Sequence, residues 1–362
     1  MRKRKILFHI CHPSYYHLFK NVIKYFNTTG IKCYILINKK DILEDLLRAD
    51  ELDYYNILPE GRAQSNISLV TRQVKQILKL LFFCMKKRPD ILIGHSTAMC
   101  LVGRILGIFS IAVNDDSVEA APVYEKVIYP FADRIVVPVG CSTGGWGFKT
   151  IQYNGFHELA YLHPDYFTPD KSVIGDYANA DKPFFLLRFV KLSAYHDRGK
   201  KGIDRNLAVR IIDILNSFGR VYIVSERELG PELKPYRIKI DSENIHHLMA
   251  FATLYIGDSQ TMAAEAAVLG TPFIRYSDFV GKINHLDQLE NKYHLGFGIK
   301  PENPQMLLNR IKELMGMKDL KKLFLNRKKK MLSEKIDVSN FFIQLIESYL
   351  NRAKQNSKNH GG

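Results

Sequence analysis

At 362 residues, 46% of them hydrophobic and 25% charged, the chain is ordinary globular protein, long enough for two domains with full cores, which excludes disorder except at the ends. Its five cysteines, at positions 11, 33, 84, 100 and 141, are odd in number, scattered and without a C-x-x-C pair; this argues against structural zinc and for a reducing, cytoplasmic setting. The net charge of +15 raises nucleic acid as a partner, but no RNP, helix-turn-helix, zinc-finger or interleaved aromatic pattern accompanies it, so no nucleic acid is expected.

From the amino end, residues 5–11 read as a first buried strand, because His9, His12 and Pro13 cut the apolar run short of a signal-peptide core. A helix over 17–26 and a strand over 32–37 follow. From Ile67 to Arg88, apolar Leu69, Val70, Val74, Ile77, Leu78, Leu81, Phe82 and Met85 alternate with Arg72, Lys75, Lys79, Lys86, Lys87 and Arg88. Such a basic amphipathic helix either faces the core with a solvated edge or rests peripherally on an anionic membrane surface. Strands over 90–93, 110–113 and 134–138, with a helix over 98–106 and the stretch 124–131 leading into the last strand, complete an alternating half. The Pro-, Asp- and Gly-containing stretch 164–181 looks like a hinge. The alternation then restarts, with strands over 184–187, 220–224, 254–256 and 273–275 and helices over 206–218, 245–252 and 261–269. No apolar stretch reaches the roughly 20 residues that cross a bilayer. The expected fold class is α/β, two Rossmann-like domains facing across a cleft: a first domain over 1–165, a linker over 166–182 and a second domain over 183–338. An apolar helix over 339–350 and a disordered tail over 351–362 end the chain.

The most informative stretch is 254–275, Leu-Tyr-Ile-Gly-Asp-Ser-Gln-Thr-Met-Ala-Ala-Glu-Ala-Ala-Val-Leu-Gly-Thr-Pro-Phe-Ile-Arg. It reads as strand, turn, helix, strand, with Asp258 and Ser259 as N-cap residues and Gly270 closing the helix. The amides of Gln260, Thr261 and Met262, with the Ser259 and Thr261 hydroxyls, would face an incoming phosphate. Glu265, four residues after Thr261, shares that side and could accept hydrogen bonds from a ribose diol. The same pattern also occurs as plain helix packing in open α/β domains.

The block is similar to the Asp-Ser-Gly-Gly-x-x-Glu-Glu-Ala run of the non-hydrolysing UDP-N-acetylglucosamine 2-epimerases and its counterpart in the lipid II-forming N-acetylglucosaminyl transferase, both of the GT-B superfamily. Asp258, Ser259 and Glu265 fall on matching positions; Gln260 and Thr261 replace the two glycines. Three further runs resemble the domain-of-unknown-function 354 family, itself placed among GT-B proteins. They are His-Pro-Ser-Tyr-Tyr-His-Leu-Phe-Lys-Asn at 12–21, Tyr-Asn-Gly-Phe-His-Glu-Leu-Ala-Tyr-Leu-His-Pro at 153–164 and Leu-Arg-Phe-Val-Lys-Leu-Ser-Ala-Tyr-His-Asp at 187–197. The resemblance implies UDP binding and a last helix that crosses back to the first domain.

Ligands of open α/β domains bind beyond the carboxyl ends of strands. There Arg188 could pair with a diphosphate, with Lys191 and His196 in the same loop. On the first domain, His12 and His17 flank Pro13 as candidate bases for an acceptor hydroxyl, and His17, which opens a helix, could equally be a capping group. Asp116, in the turn Asn114-Asp115-Asp116, is a third candidate base, and the Gly144–Gly147 loop with Trp146 could stack on a sugar. The leading expectation is a GT-B glycosyltransferase, without metal or resident cofactor, moving a sugar from a UDP-linked donor to a glycan or lipid-linked acceptor of surface polysaccharide synthesis. Alternatives are a nucleotide-sugar 2-epimerase, disfavoured because Gly94-His95-Ser96 stands where the epimerases carry Gly-Asp-Thr, and a non-catalytic nucleotide-binding scaffold.

Overall fold

The computed structural model describes residues 3–38, 42–59, 66–119, 121–175, 177–190 and 202–359. The chain divides into two compact units, Met1–Tyr166 with Ile336–Gly362, and Phe167–Lys335.

The first unit runs β1 (Lys5–Ile10), α1 (Pro13–Thr28), β2 (Lys32–Asn38), α2 (Leu43–Ala49), β3 (Tyr54–Leu58), α3 (Asn66–Lys87), β4 (Ile91–Gly94), α4 (Thr97–Leu106), β5 (Phe109–Val113), α5 (Val123–Val127), β6 (Arg134–Pro138), β7 (Thr150–Tyr153) and α6 (Leu159–Leu162). Its seven parallel strands lie in the order β3-β2-β1-β4-β5-β6-β7. The central strands are continuous apolar runs because both faces are covered. On one face Leu7, Leu36, Leu92 and Ile135 pack with Leu80 and Cys84 of α3 and Met99 and Val102 of α4. On the other, Phe8 meets Phe19 of α1 with ring centroids 5.3 Å apart. Each such fully buried side chain contributes about 1.5–3 kcal/mol. Ser96 caps α4 by accepting the Met99 N–H, and Gly107, at φ 64°, ends it.

The second unit runs β8 (Phe184–Phe189), α7 (Arg205–Leu215), β9 (Arg220–Ser225), α8 (Ile245–Phe251), β10 (Leu254–Gly257), α9 (Gln260–Leu269), β11 (Phe273–Tyr276), α10 (Asn284–Asp287), β12 (Gly296–Ile299), α11 (Pro304–Met315) and α12 (Leu320–Glu334). Five parallel strands lie in the order β12-β11-β10-β8-β9. Helix α9 is buried on every side from Ala263 to Leu269, which its alanines permit by letting neighbours approach closely. The Lys328 ammonium of α12 reaches the Leu269 carbonyl at the end of α9 (3.3 Å), where a cation suits the helix dipole. Much of the stretch over 166–182 is bonded to this unit: the Asp170 N–H donates to His247 Nδ1 (3.0 Å), and the Tyr177 hydroxyl to Asp241 (3.1 Å).

The last helix, α13 (Val338–Asn359), belongs to the first unit. Phe342 packs edge-on to Phe19 (5.4 Å), and the Ser339 hydroxyl donates to the Ala160 carbonyl (2.7 Å). This helix continues through 351–359, where a disordered tail was expected; the segment has no Gly or Pro to stop it before Gly361. The strands absent from the sequence expectation, β3, β7 and β12, all lie at sheet edges. An edge strand is covered on fewer sides and lacks the apolar run that marks a central one.

Candidate functional site

Each sheet has one place where successive connections leave in opposite directions, and ligands of such sheets bind there, beyond the carboxyl ends of the strands. In the first unit it lies between β1 and β4, in the second between β8 and β10. A glycine closes each. At Gly94 a Cβ would stand 2.2 Å from the His9 carbonyl oxygen, and at Gly257 it would stand 2.9 Å from that of Arg188. Only hydrogen fits at either position.

At the second-unit point Arg188 is paired across β8 and β10 with Gly257, one residue before Asp258. Its guanidinium bonds Glu226 at the end of β9, while its buried Nε has no hydrogen-bond partner among the described residues. Ser259 is the N-cap of α9 and accepts the Met262 N–H (3.3 Å), so that amide is occupied. Gln260 and Thr261 open the helix and are half-buried. Asp258, expected as a cap, does something else. Its carboxylate accepts from the Val190 N–H (2.8 Å) and from Arg227 (3.2 Å), while Arg227 also donates to the Ile203 carbonyl (2.6 Å). Asp258 thus ties together the chain on both sides of 191–201. Burial raises its carboxyl to about 6, against the pull of the Val190 amide and Arg227. Lys191 and His196 lie outside the described residues.

Two other parts of the motif have protein partners. Glu265 is buried and pairs with His246 Nε2 of α8 (3.0 Å). The Gln260 side chain points into a buried network: its oxygen accepts from Arg275 (2.6 Å), and its amide donates to Ser277 (2.9 Å) and the Asp258 carbonyl (3.2 Å). Arg275, at 0% exposure, is neutralised by Glu290 (2.8 Å). A side chain where the similar motif has glycine is therefore accommodated by being drawn towards β11.

The first-unit point is built from titratable groups. His9 is fully buried, with Nδ1 2.7 Å from the Ser96 hydroxyl and Nε2 3.3 Å from the Gln76 amide; burial lowers it to about 4, so it is neutral at pH 7. The His95 Nδ1 lies 3.0 Å from the Val113 carbonyl, which only accepts, so Nδ1 carries a proton, and Nε2 lies 2.6 Å from the Tyr124 hydroxyl. Tyr15 stacks on His95 (4.3 Å) and its hydroxyl donates to Asp115 (3.3 Å), whose other oxygen is 3.4 Å from His157. Next to it Asp116 is held in a turn: its N–H donates to the Asn114 side-chain oxygen (3.2 Å), and the Asn114 amide donates to its carbonyl (2.8 Å). Burial, then the adjacent Asp115 charge, raises Asp116 to about 7. Such a carboxyl exchanges protons at neutral pH.

The other two candidate bases are placed differently. His12 is the N-cap of α1, its Nδ1 accepting the Ser14 N–H (3.2 Å). His17 lies in the helix itself and stacks on Tyr161 of α6 (4.8 Å). Trp146 is tied to α5, donating to the Glu125 carbonyl (3.0 Å), with Lys149 over its ring at 4.3 Å. Residues that sequence reasoning missed are Tyr15, Tyr124 and His157 here, and Glu226, Arg227, His246, Arg275 and Glu290 in the second unit. Tyr15 and His157 stand within the runs at 12–21 and 153–164, which were the available signal.

The family model described as a protein of unknown function, DUF354, matches residues 4–351. No curated protein matches the sequence. Among solved structures, the chain is similar to a UDP-GlcNAc 2-epimerase from Neisseria meningitidis bound to UDP-GlcNAc, with a TM-score of 0.67, 14% identity, and 96% of this chain and 100% of that one covered. A UDP-GlcNAc 2-epimerase from Methanocaldococcus jannaschii gives 0.64, 14%, 95% and 99%. A glycosyltransferase from Rickettsia africae gives 0.62, 13%, 97% and 99%. At these identities the likeness is one of fold, the GT-B arrangement of two Rossmann-like α/β units.

Proposed function

From the premise that the chain belongs to the DUF354 family, we propose that it is a glycosyltransferase moving a sugar from a nucleoside-diphosphate donor, UDP-linked by the motif resemblance, to a hydroxyl of a glycan or lipid-linked acceptor. The observation that carries this reading is Arg188, a cation at the second-unit switch point whose buried Nε has no hydrogen-bond partner among the described residues, adjoining the half-buried start of α9. A leaving diphosphate gains negative charge as the sugar–oxygen bond breaks, and a fixed guanidinium with helix-start amides stabilises that charge. Glu265, presented by the buried His246, is assigned to the ribose.

Asp116 is the proposed proton acceptor. The acceptor oxygen bonds to the anomeric carbon, its proton passes to the Asp116 carboxylate, and the diphosphate leaves with the bonding pair. His12 and His17 are set aside because one caps a helix and the other is stacked on an aromatic ring. His95, with Nε2 engaged by Tyr124, stands where the epimerases carry an aspartate, which favours transfer over elimination.

Calorimetric titration with UDP and UDP-sugars tests the reading. Binding by the wild type that weakens in Arg188→Met and Glu265→Gln supports it; absence of binding refutes it. Interconversion of UDP-GlcNAc and UDP-ManNAc without acceptor would replace it with the epimerase reading, and tight UDP binding without turnover of any nucleotide sugar with the scaffold reading.

A further inference from the structure

Helix α3 has two apolar faces and only one is used by the core. Leu80 and Cys84 pack inward. Val70, Val74, Leu78, Phe82 and Met85, spaced by four, four, four and three residues, form a second stripe whose members are between 48% and 66% exposed. It spans about 22 Å at 1.5 Å per residue. Val70, Val74, Leu78 and Phe82 line a shallow apolar depression that continues over Lys75 and Lys79. Solvent-facing apolar stripes of this length mark interaction surfaces.

The charge of the helix identifies the partner. Asn66–Lys87 carries Arg72, Lys75, Lys79, Lys86 and Lys87 and no acidic residue. The Lys79 and Lys87 ammoniums are turned back onto the protein, to the Ile57 carbonyl (2.8 Å) and the rings of Tyr34 and Tyr55. At 100° per residue, Arg72, Lys75 and Lys86 follow one long edge of the stripe. On the neighbouring α4, Ile105 is 58% exposed beside Arg104. Two copies joined through this face would bring Arg72, Lys75 and Lys86 of one against the same three cations of the other. Nucleic acid would satisfy the charge and leave the apolar stripe in water. An anionic lipid surface satisfies both, taking the apolar side chains into the acyl boundary and the cations among its headgroups. Among the described residues no helix is long and apolar enough to cross a membrane, so the contact is one of the surface.

We propose that the outer face of α3 is a docking surface for an anionic bilayer, independent of nucleotide binding. Flotation with vesicles of phosphatidylcholine alone and of phosphatidylcholine with phosphatidylglycerol tests it, at low and high salt. Binding to the mixed vesicles only, weakened by salt, is expected. Lys75→Gln and Lys86→Gln should each lower partitioning about five-fold, and Leu78→Ser with Phe82→Ser should abolish it. Because these side chains are exposed, the thermal melting and UDP affinity of the double variant should match wild type. Equal binding to both vesicle types, or binding undiminished in the double variant, would overturn the proposal. So would concentration-dependent self-association that the double variant loses, which would assign the face to a second copy.

Discussion

The two switch points share a topology and differ in chemistry. Each lies at two paired parallel strands from which the connections leave in opposite directions, closed by a glycine, Gly94 on His9 and Gly257 on Arg188. Between β1 and β4 the chain gathers His9, His95, Tyr15, Tyr124, Asp115 and Asp116, groups that hold and pass protons. Between β8 and β10 it places a guanidinium beside a capped helix start, groups that hold negative charge without exchanging protons. One backbone plan thus presents groups suited to acid–base work or to anion binding according to what stands at a few loop positions.

Separating the two roles gives the sharpest test. Asp116→Asn should lower turnover about 10²- to 10⁴-fold while UDP affinity, measured by calorimetry, stays at the wild-type value. In the wild type, kcat/KM should rise with pH through about 7, as Asp116 ionises, and this limb should vanish in the variant. The stability effect has the opposite sense. A carboxyl raised by burial costs the folded state nothing below its unfolded value near 4 and an increasing amount up to about 7. Asp116→Asn should therefore melt higher than wild type at pH 8 and no higher at pH 4. Equal losses of turnover and UDP affinity would erase the division of labour.

Next in size is Arg275→Met, which leaves Glu290 buried and unpaired and should cost about 3–5 kcal/mol in denaturant unfolding. Met for Arg188 removes a cation without uncovering a buried charge, since Glu226 is half exposed. It should weaken UDP about ten- to a hundred-fold, from the 1.5–3 kcal/mol of a charged hydrogen bond, and leave the pH dependence of turnover unmoved. The smallest effect is expected of His12→Ala, about 1 kcal/mol of stability for a lost cap, with kcat unchanged. A large fall in kcat there would return His12 to the chemistry.

The two regions also differed in how far they could be read from sequence. The second-unit point lies largely within one contiguous stretch, 254–275, where strand, cap and helix follow a local pattern, and Ser259 caps α9 as expected. Asp258 was misread as a cap because its partners, Val190 and Arg227, are 68 and 31 residues away. The first-unit cluster joins five separate segments. The Tyr15–Asp115 bond spans 100 residues, and no local periodicity announces it. The amphipathic pattern of α3 was legible too, but a helical period cannot tell which of two apolar faces the core takes.

The Gln260–Arg275 bond has a consequence for how this motif can change over generations. Replacing Gln260 by the glycine of the similar motif would leave the Arg275 guanidinium without one of its buried acceptors, and replacing Arg275 alone would strand Glu290. Neither step is neutral by itself. The glycine form and the glutamine form are thus expected to be separated by less stable single exchanges, which a compensating change at 275 and 290 would offset.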